Sequence, residues 1–425
     1  MSEGSRAPSS FVPAARRRLS VEEYRDQVVA LAPRLPRADV PLDQALGRVV
    51  AVPVRAGAAV PAFDDAAMDG YAVRAADTAG ATASAPAVLP VAWDVPAGDP
   101  RRLVLAPGTA ARIMTGAPLP HGADAVVPVE DTDGGERTVA VRAAVPVGRH
   151  VRLAGEDAAV GDVVVPAGTR LTARHLAAAA AVGAGAVTVC RRPRVAVVVT
   201  GSELRDAGLA APSPGPAGDA TLAPGAVYDA NGPFLAAALT QAGAQVTARV
   251  RVADRPGDLR DALDRCTAEA DAVVLAGGVS AGAYDVVRDL LSGDGEVVHV
   301  AVQPGKPQGH GRWHGVPLLA LPGNPVSCAV SFWLFVRPFL AAATGEHLPV
   351  HPRPGRAGAA WSSPAGRRQL VPALLDPGSG TLRPVHPSGT GSHRVTTLAR
   401  ADALAIVPED VTRVAEGDPL TYLPL

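Results

Sequence analysis

Three apolar runs that each stop at a glycine turn constrain this chain most: RVAVVVTG (194–201), DAVVLAGG (271–278) and PLLALPG (317–323). An uninterrupted apolar run of that length suits a strand whose two faces are both covered. Helix-period segments lie around them: FLAAALTQAGA (234–244), DLRDALDRCTAEA (258–270), YDVVRDLLSG (284–293) and PVSCAVSFWLFVRPFLAAATG (325–345). Two further strand patterns are QVTARVRVAD (245–254) and EVVHVAVQPG (296–305). Strands and helices alternating at this spacing predict an α/β fold with an open, mostly parallel sheet. Ligands of such sheets bind at the carboxyl edge, where the connecting turns gather.

The flanking sequence has a different texture. Residues 1–19 are polar and rich in Pro and Arg, with no apolar leader segment, which predicts a disordered N-terminus. Ser20-Val21-Glu22-Glu23 is a capping box, and Tyr24, Val28 and Leu31 follow at helical spacing. A second short helix is expected over 42–50, and Thr172 is placed to cap an Ala-rich helix that Gly183 ends. From 53 to 152, short Val/Ala runs broken by Gly, Pro and Asp read as a β-rich insertion. The chain is therefore expected to be multidomain. A discontinuous helical N-terminal domain (20–52 and 153–190) would carry the insertion, followed by the α/β domain (191–345). The strand-like pieces of 346–425 predict a small C-terminal β-barrel.

Charge and cysteine usage exclude several functions. Lys+Arg number 40 against Asp+Glu 41, so there is no basic field for nucleic acid or an anionic membrane surface. The three cysteines (Cys190, Cys266, Cys328) are far apart and form no CxxC pair. That argues against a disulfide framework or a zinc knuckle and fits a reducing, cytoplasmic setting. No run approaches about 20 strongly apolar residues. The nearest candidate, 176–189, is short and rich in Ala and Gly, so no membrane span is expected.

The candidate chemistry sits in turns. Three glycine turns in one α/β segment, with no GxGxxG and no Walker motif, favour a phosphate-bearing ligand on another scaffold. Lysine occurs once among the 40 basic residues, as Lys306 in QPGKP, and a compact ammonium there suits a phosphate or oxyanion. Asparagine occurs only at Asn231 and Asn324, again in turn motifs. Turn carboxylates are Asp64, Asp65, Asp69, Glu156, Asp157, Glu203, Asp254 and Asp285. An anionic ligand near them needs a counterion, and Mg²⁺, held by one or two carboxylates plus phosphate oxygens, meets that need. No GxSxG elbow or histidine pair at metal-ligand spacing is present.

These motifs converge on a family. PAFDDAAMDGYAVR (61–74), RIMTGAPLPHGADAVVPVED (112–131), RLAGED (152–157), PAGTRL (166–171), TGSEL (200–204), YDAN (228–231), GGVSAGAYD (277–285), QPGKP (303–307), LPGNPVS (321–327) and GSH (391–393) resemble the MoeA family of molybdopterin molybdenumtransferases, which includes the E domain of gephyrin. The resemblance runs in order from about residue 20 to the C-terminus. It implies a molybdopterin-binding type of α/β domain and a cytoplasmic enzyme of molybdenum-cofactor biosynthesis. The expected reaction is Mg²⁺-dependent insertion of molybdate into adenylylated molybdopterin, with release of AMP. The expected assembly is a homodimer whose active sites are shared between subunits, served by the molybdopterin adenylyltransferase, with no nucleic acid or membrane partner.

Position by position, the resemblance implies catalytic roles for Asp64, Thr115, Asp157, Glu203, Lys306 and Ser392. Asp254 and Asp285 would hold Mg²⁺. Gly277, Gly278, Ser280, Gly282, Pro322, Gly323, Asn324, Pro325 and Ser327 would bind substrate, in part through backbone N–H groups. The chain departs from the family at three positions. Gln303 stands where many members have lysine, Ser202 where many have aspartate, and Pro372 where the barrel carries an arginine. Arg367 or Arg368 could substitute for that arginine. The 206–225 loop is also long. Two other readings are a molybdopterin adenylyltransferase or nucleotide-processing relative, which would lack the AMDGYAV and RIMTGAP blocks, and a non-catalytic peptide-binding scaffold. Intact Asp64, Asp254, Asp285 and Lys306 disfavour the scaffold.

Overall fold

In the computed structural model, which describes residues 18–207, 222–279, 287, 290–291, 295–348, 352–386 and 391–425, the strand Arg194–Thr200 has no open face. Val195 to Val199 are all at most 1% exposed. Alternate side chains leave a strand on opposite sides. Val195, Val197 and Val199 join a core with helices Val21–Ala30, Asn231–Gln241 and 325–344. Ala196 and Val198 join another with helix Pro256–Thr267. The helix expected over 284–293 lies largely outside the described residues.

Across the sheet the strands are Arg18–Leu19, Gly295–Val300, Pro307–Trp313, Val316–Leu321, Ala272–Ala276, Arg194–Thr200 and Gln245–Val252. All run parallel except Pro307–Trp313, which is antiparallel to both neighbours. The sheet is therefore mostly parallel, as expected. Its antiparallel strand was not legible, because PQGHGRW has no apolar alternation. Its glycines are what the packing requires: a Cβ on Gly309 would lie 3.1 Å from Leu291 and 3.2 Å from Ala320.

Four expectations need correction. Arg18–Leu19, placed in the disordered N-terminus, is a strand on the sheet edge; residues 1–17 lie outside the described residues. Ser20 and Glu23 do form the capping box, but the helix they start belongs to the α/β unit and not to the N-terminal domain. Its apolar face, Val21, Tyr24 and Val28, is completed by the sheet core. The Tyr24 hydroxyl donates to Gly309 O (3.0 Å), and Arg368 ties Glu22 to the C-terminal region. The helix expected over 42–50 is only the single 3-10 turn Leu42–Gln44, because Gly47 turns the chain at φ 72°. Finally, Pro325–Thr344 is long and apolar enough to cross a membrane, but 72% of it is buried, with Phe332, Phe335 and Phe339 in the core. A π-turn, Phe332–Val336, precedes Pro338, which lacks the N–H needed to continue a regular helix.

Five C-terminal strands close into a ring: Arg368–Asp376, Thr381–Pro384, Arg353–Ala357, Pro419–Pro424, Ala403–Val407 and back to Arg368–Asp376. Closure leaves no free edge and encloses Val371, Ala373, Leu382 and Ala405. Contacts divide the chain into two units, 39–189 and the residues on either side of it. Within 39–189, a five-stranded sheet (Ala125–Pro128, Gly70–Val73, Ala110–Ile113, Ala87–Val95, Thr138–Val141) carries its own core. A further core joins residues 45–54 to 165–189, including the helix Ala173–Ala181 started by Thr172.

Removing the Tyr24 hydroxyl leaves the Gly309 carbonyl without its side-chain donor. Tyr24→Phe is expected to cost about 1–2 kcal/mol, read as a lower denaturant midpoint with an unchanged slope.

Candidate active site

Parallel strands deliver their carboxyl ends to one edge, and the reversed strand Pro307–Trp313 begins at that same edge. Lys306 thus sits beside the turns that follow Thr200, Val252, Ala276 and Leu321. Together they wall a cavity of about 790 Å³. It is lined by Glu203, Asp254, Gly277, Gly278, Lys306, Pro322, Gly323, Asn324, Pro325, Ser327 and Ser392, all of them anticipated site residues.

Glycine is required where two of these turns meet. Gly277 has φ 101°, and a Cβ there would lie 2.6 Å from Thr200 Oγ1; one on Gly323 would lie 3.3 Å from the Gly277 Cα. The segment around Ser392 is docked by its own backbone, since Ser392 O accepts from Val326 N–H (3.0 Å).

The lysine turn is locked by a side chain that sequence reasoning missed. Gln308, fully buried, donates through Nε2 to Gly305 O (2.7 Å) and to Ser331 Oγ (2.6 Å). Ser331 in turn donates to Ser327 O (2.8 Å). This chain joins the Lys306 turn to the first turn of the helix that carries Ser327. Lys306 is half-buried and has no carboxylate partner among the described residues.

Neither Asp229, quoted only within YDAN, nor Asn231, noted only as a scarce turn asparagine, was given a site role, yet both are 6% exposed and line the cavity. Asn231 Nδ2 donates to Gly323 O (2.6 Å), and Asp229 accepts from Gly232 N–H (2.9 Å). Burial, then the Asp229 charge, pushes the neighbouring Cys328 thiol far up, so it carries no thiolate chemistry. Asn231 was detectable, being one of only two asparagines. Thr200, also at the wall, has a buried hydroxyl without a partner among the described residues.

Asp64, Thr115 and Asp157 belong to the 39–189 unit. Asp64 accepts from Ala154 N–H (2.8 Å). Thr115 donates its N–H and hydroxyl to Asp69 (2.6 and 2.7 Å), which holds the Asp69 carboxyl below its usual range. Asp157 lines a separate cavity of about 570 Å³ with Asp162. Ser280, Gly282 and Asp285 lie outside the described residues.

No three His, Cys, Asp or Glu side chains converge on a metal position among the described residues. Mg²⁺ seldom uses such a cage, taking one or two carboxylates and completing its shell with phosphate and water. Asp254 meets that requirement. Its Oδ2 accepts from Ser202 N–H (2.9 Å) while its own N–H donates to Ser202 Oγ (3.0 Å), and Oδ1 has no partner among the described residues.

Family models match in order along the chain: MoeA N-terminal region (domain I and II) over 19–183, probable molybdopterin binding domain over 196–342, and MoeA C-terminal region (domain IV) over 354–425. Molybdopterin molybdenumtransferase 2 of Mycobacterium tuberculosis is 46% identical over 412 residues, spanning 94% of this chain and 98% of its own length. The chain belongs to the MoeA family. This is the family of the molybdopterin molybdenumtransferases, enzymes of molybdenum-cofactor biosynthesis. The Bacillus subtilis molybdopterin molybdenumtransferase is 32% identical over 378 residues, 87% of this chain and 85% of its own. Two crystal structures of molybdopterin biosynthesis MoeA protein from Pyrococcus horikoshii superpose with TM-scores of 0.77 and 0.82, at 33% and 25% identity. Each covers 96% of this chain, and the matches span 99% and 100% of theirs.

This MoeA chain departs from the family pattern in ways its contacts make clear. Ser202 supplies no charge but braces Asp254 from both sides. Pro372 is buried in the barrel wall, paired with Leu404. Arg368 is occupied by Glu22 and by Glu409 (2.9 Å).

Gln308→Leu keeps most of the buried volume but removes both donors from the lysine turn. It is expected to destabilise the protein by roughly 1–3 kcal/mol in denaturant titration. It should also speed amide exchange at Gly305 and Lys306 more than in the C-terminal barrel.

Proposed function

We propose that this protein inserts molybdate into adenylylated molybdopterin with release of AMP, in a Mg²⁺-dependent reaction. The observation that carries the reading is the placement of the chain's one lysine. Lys306, without a carboxylate partner among the described residues, stands in a cavity otherwise walled by glycine turns and carboxylates. Both substrates are anions, and an unpaired ammonium is the group that would hold them against those carboxylates.

In this reading Asp254 and Asp285 hold Mg²⁺, which offsets the negative charge of the substrate phosphates when bound. Lys306 and Ser392 hold the oxyanion, and Glu203 lines the same cavity. The glycine turns at 277–278 and 322–324, with Pro325 and Ser327, bound the space for substrate. Ser280 and Gly282, outside the described residues, are assigned to substrate binding with them. Catalysis is then electrostatic positioning rather than attack by a protein nucleophile. An oxygen of molybdate attacks the adenylyl phosphorus as the anhydride bond to the molybdopterin phosphate breaks; the two dithiolene thiols, losing their protons, then bond molybdenum as its bond to the bridging oxygen breaks, and AMP leaves carrying that oxygen.

Asp64, Thr115 and Asp157 are assigned to closing the pocket across a homodimer, each site drawing on both subunits. The setting is cytoplasmic, and the molybdopterin adenylyltransferase is the supplier of substrate.

AMP release from adenylylated molybdopterin tests the proposal. It should require both molybdate and Mg²⁺, and Lys306→Ala should lower the rate about a hundredfold, as the loss of one preorganised oxyanion donor does elsewhere. Asp254→Asn should raise the Mg²⁺ concentration needed, and label from ¹⁸O-molybdate should appear in AMP. Tight substrate binding without AMP release would replace the transferase reading with a storage or scaffold role.

A further inference from the structure

We infer that His310 is a pH-sensitive latch: the helix Val21–Ala30 stays docked on the sheet while this imidazole is neutral, and is released when the ring takes up a second proton. The inference does not depend on the proposed function.

His310 lies on the reversed strand Pro307–Trp313, which the helix covers. Two ties on either side of it hold the helix down. The Tyr24 hydroxyl donates to Gly309 O (3.0 Å), and Arg312 Nη2 donates to Leu31 O (3.3 Å). Between them the His310 ring meets the Tyr24 ring edge-on, with 5.4 Å between centroids. Tyr24 meets Phe335 in the same way at 4.7 Å. The His310 side chain is only 12% exposed.

The surroundings can serve one ring nitrogen but not both. Glu296, directly across the ladder, has its Oε1 3.9 Å from Nε2. Nδ1 is buried with no hydrogen-bond partner among the described residues. On the other side the strand Val316–Leu321 places Leu319 opposite, and helix 325–344 contributes Phe335 behind Tyr24. Burial pushes the Tyr24 hydroxyl far up, so it stays protonated and spends its proton on Gly309 O. Two residues along the strand, Arg312 carries the same charge an imidazolium would.

A neutral imidazole fits this space. Its one N–H can face Glu296, which leaves Nδ1 as a bare acceptor. An imidazolium has two N–H donors, and the second would be buried without an acceptor on a charged ring. Glu296 is half-exposed and beyond hydrogen-bond distance, so it offsets only part of that cost. Burial accordingly holds the His310 pKa below the ordinary histidine value, with Glu296 opposing. Once the helix lifts, the ring titrates as a free histidine. The docked state is therefore favoured above about pH 6.5 and lost progressively below it. The same helix carries Glu22, the partner of Arg368, so its release also unties the start of the barrel strand.

The test is hydrogen exchange of the purified full chain at about pH 7.5 and about pH 5.5, either side of the free histidine value. Protection is taken relative to the unstructured rate at each pH. Protection of the helix should fall about tenfold, the excess of charged over neutral imidazole in a free histidine one pH unit below its ordinary value. Carboxylates titrate below that window, and Glu22 is held lower still, so the Glu22–Arg368 pair is not the sensor. His310→Phe keeps a ring against Tyr24 but takes up no proton, and its protection should not change with pH. Glu296→Gln removes the acid facing the ring and should show at least as large a fall as wild type; it carries the test if the phenylalanine variant does not fold. A flat wild-type profile, an equal fall in His310→Phe, or loss of the fall in Glu296→Gln would overturn the inference. So would an equal fall in the barrel strand Arg368–Asp376, which marks a general loss of structure.

Discussion

The central strand of this protein has nowhere to put a polar group. With Val195 to Val199 closed off on both faces, hydrogen-bonding capacity and charge are expelled to the strand ends. Parallel neighbours place those ends at one edge, and the single reversed strand adds its N-terminal turn to the same edge rather than the opposite one. The cavity follows from this, and so does its composition. Its walls are turns, and the residues that tight turns tolerate, glycine, asparagine, aspartate and proline, are those that bring backbone and charge closest to a ligand.

The turns are then cross-braced. Gln308 and Ser331 tie the lysine turn to the helix that begins at Pro325. Asn231 ties that helix's preceding turn to the helix Asn231–Gln241, and Ser202 ties Asp254 to the turn after the central strand. Each brace joins segments separated in sequence; those of Gln308 and Asn231 are buried or half-buried, and that of Ser202 is exposed. The effect is to hold carboxylates on one set of turns and Lys306 on another, with no ion pair between them among the described residues. The proposed reaction, with two anionic substrates, would use that separation: a lysine already paired with aspartate would have little left for a ligand.

Much of this was legible from sequence. The three glycine-ended apolar runs are strands, the capping box at Ser20 forms as its spacing demands, and the site residues of the α/β domain that fall within the described residues line one cavity. What failed did so where local signals are silent. PQGHGRW becomes a strand because both flanks offer ladders to an otherwise unpatterned segment. The helix after Ser20 carries an apolar face, but nothing in its own residues says which core completes it. Gln308 looked like one polar residue in a glycine-rich stretch, and its worth comes only from Gly305 and Ser331 standing opposite it.

Sequence alone determined the periodicity of the elements, the places where chain direction must change, and the scarcity that singles out Lys306, Asn231 and Asn324. These are local properties, set by backbone sterics and by the burial demanded by each run of side chains. Tertiary structure alone decided which turns share a cavity, that Arg368 is spent on Glu22 and Glu409 while Arg367 reaches Gln303, and that Ser202 braces a carboxylate rather than supplying one. Those outcomes depend on contacts between residues tens to hundreds of positions apart. No local pattern encodes such pairings, because they exist only once the strands have chosen their neighbours.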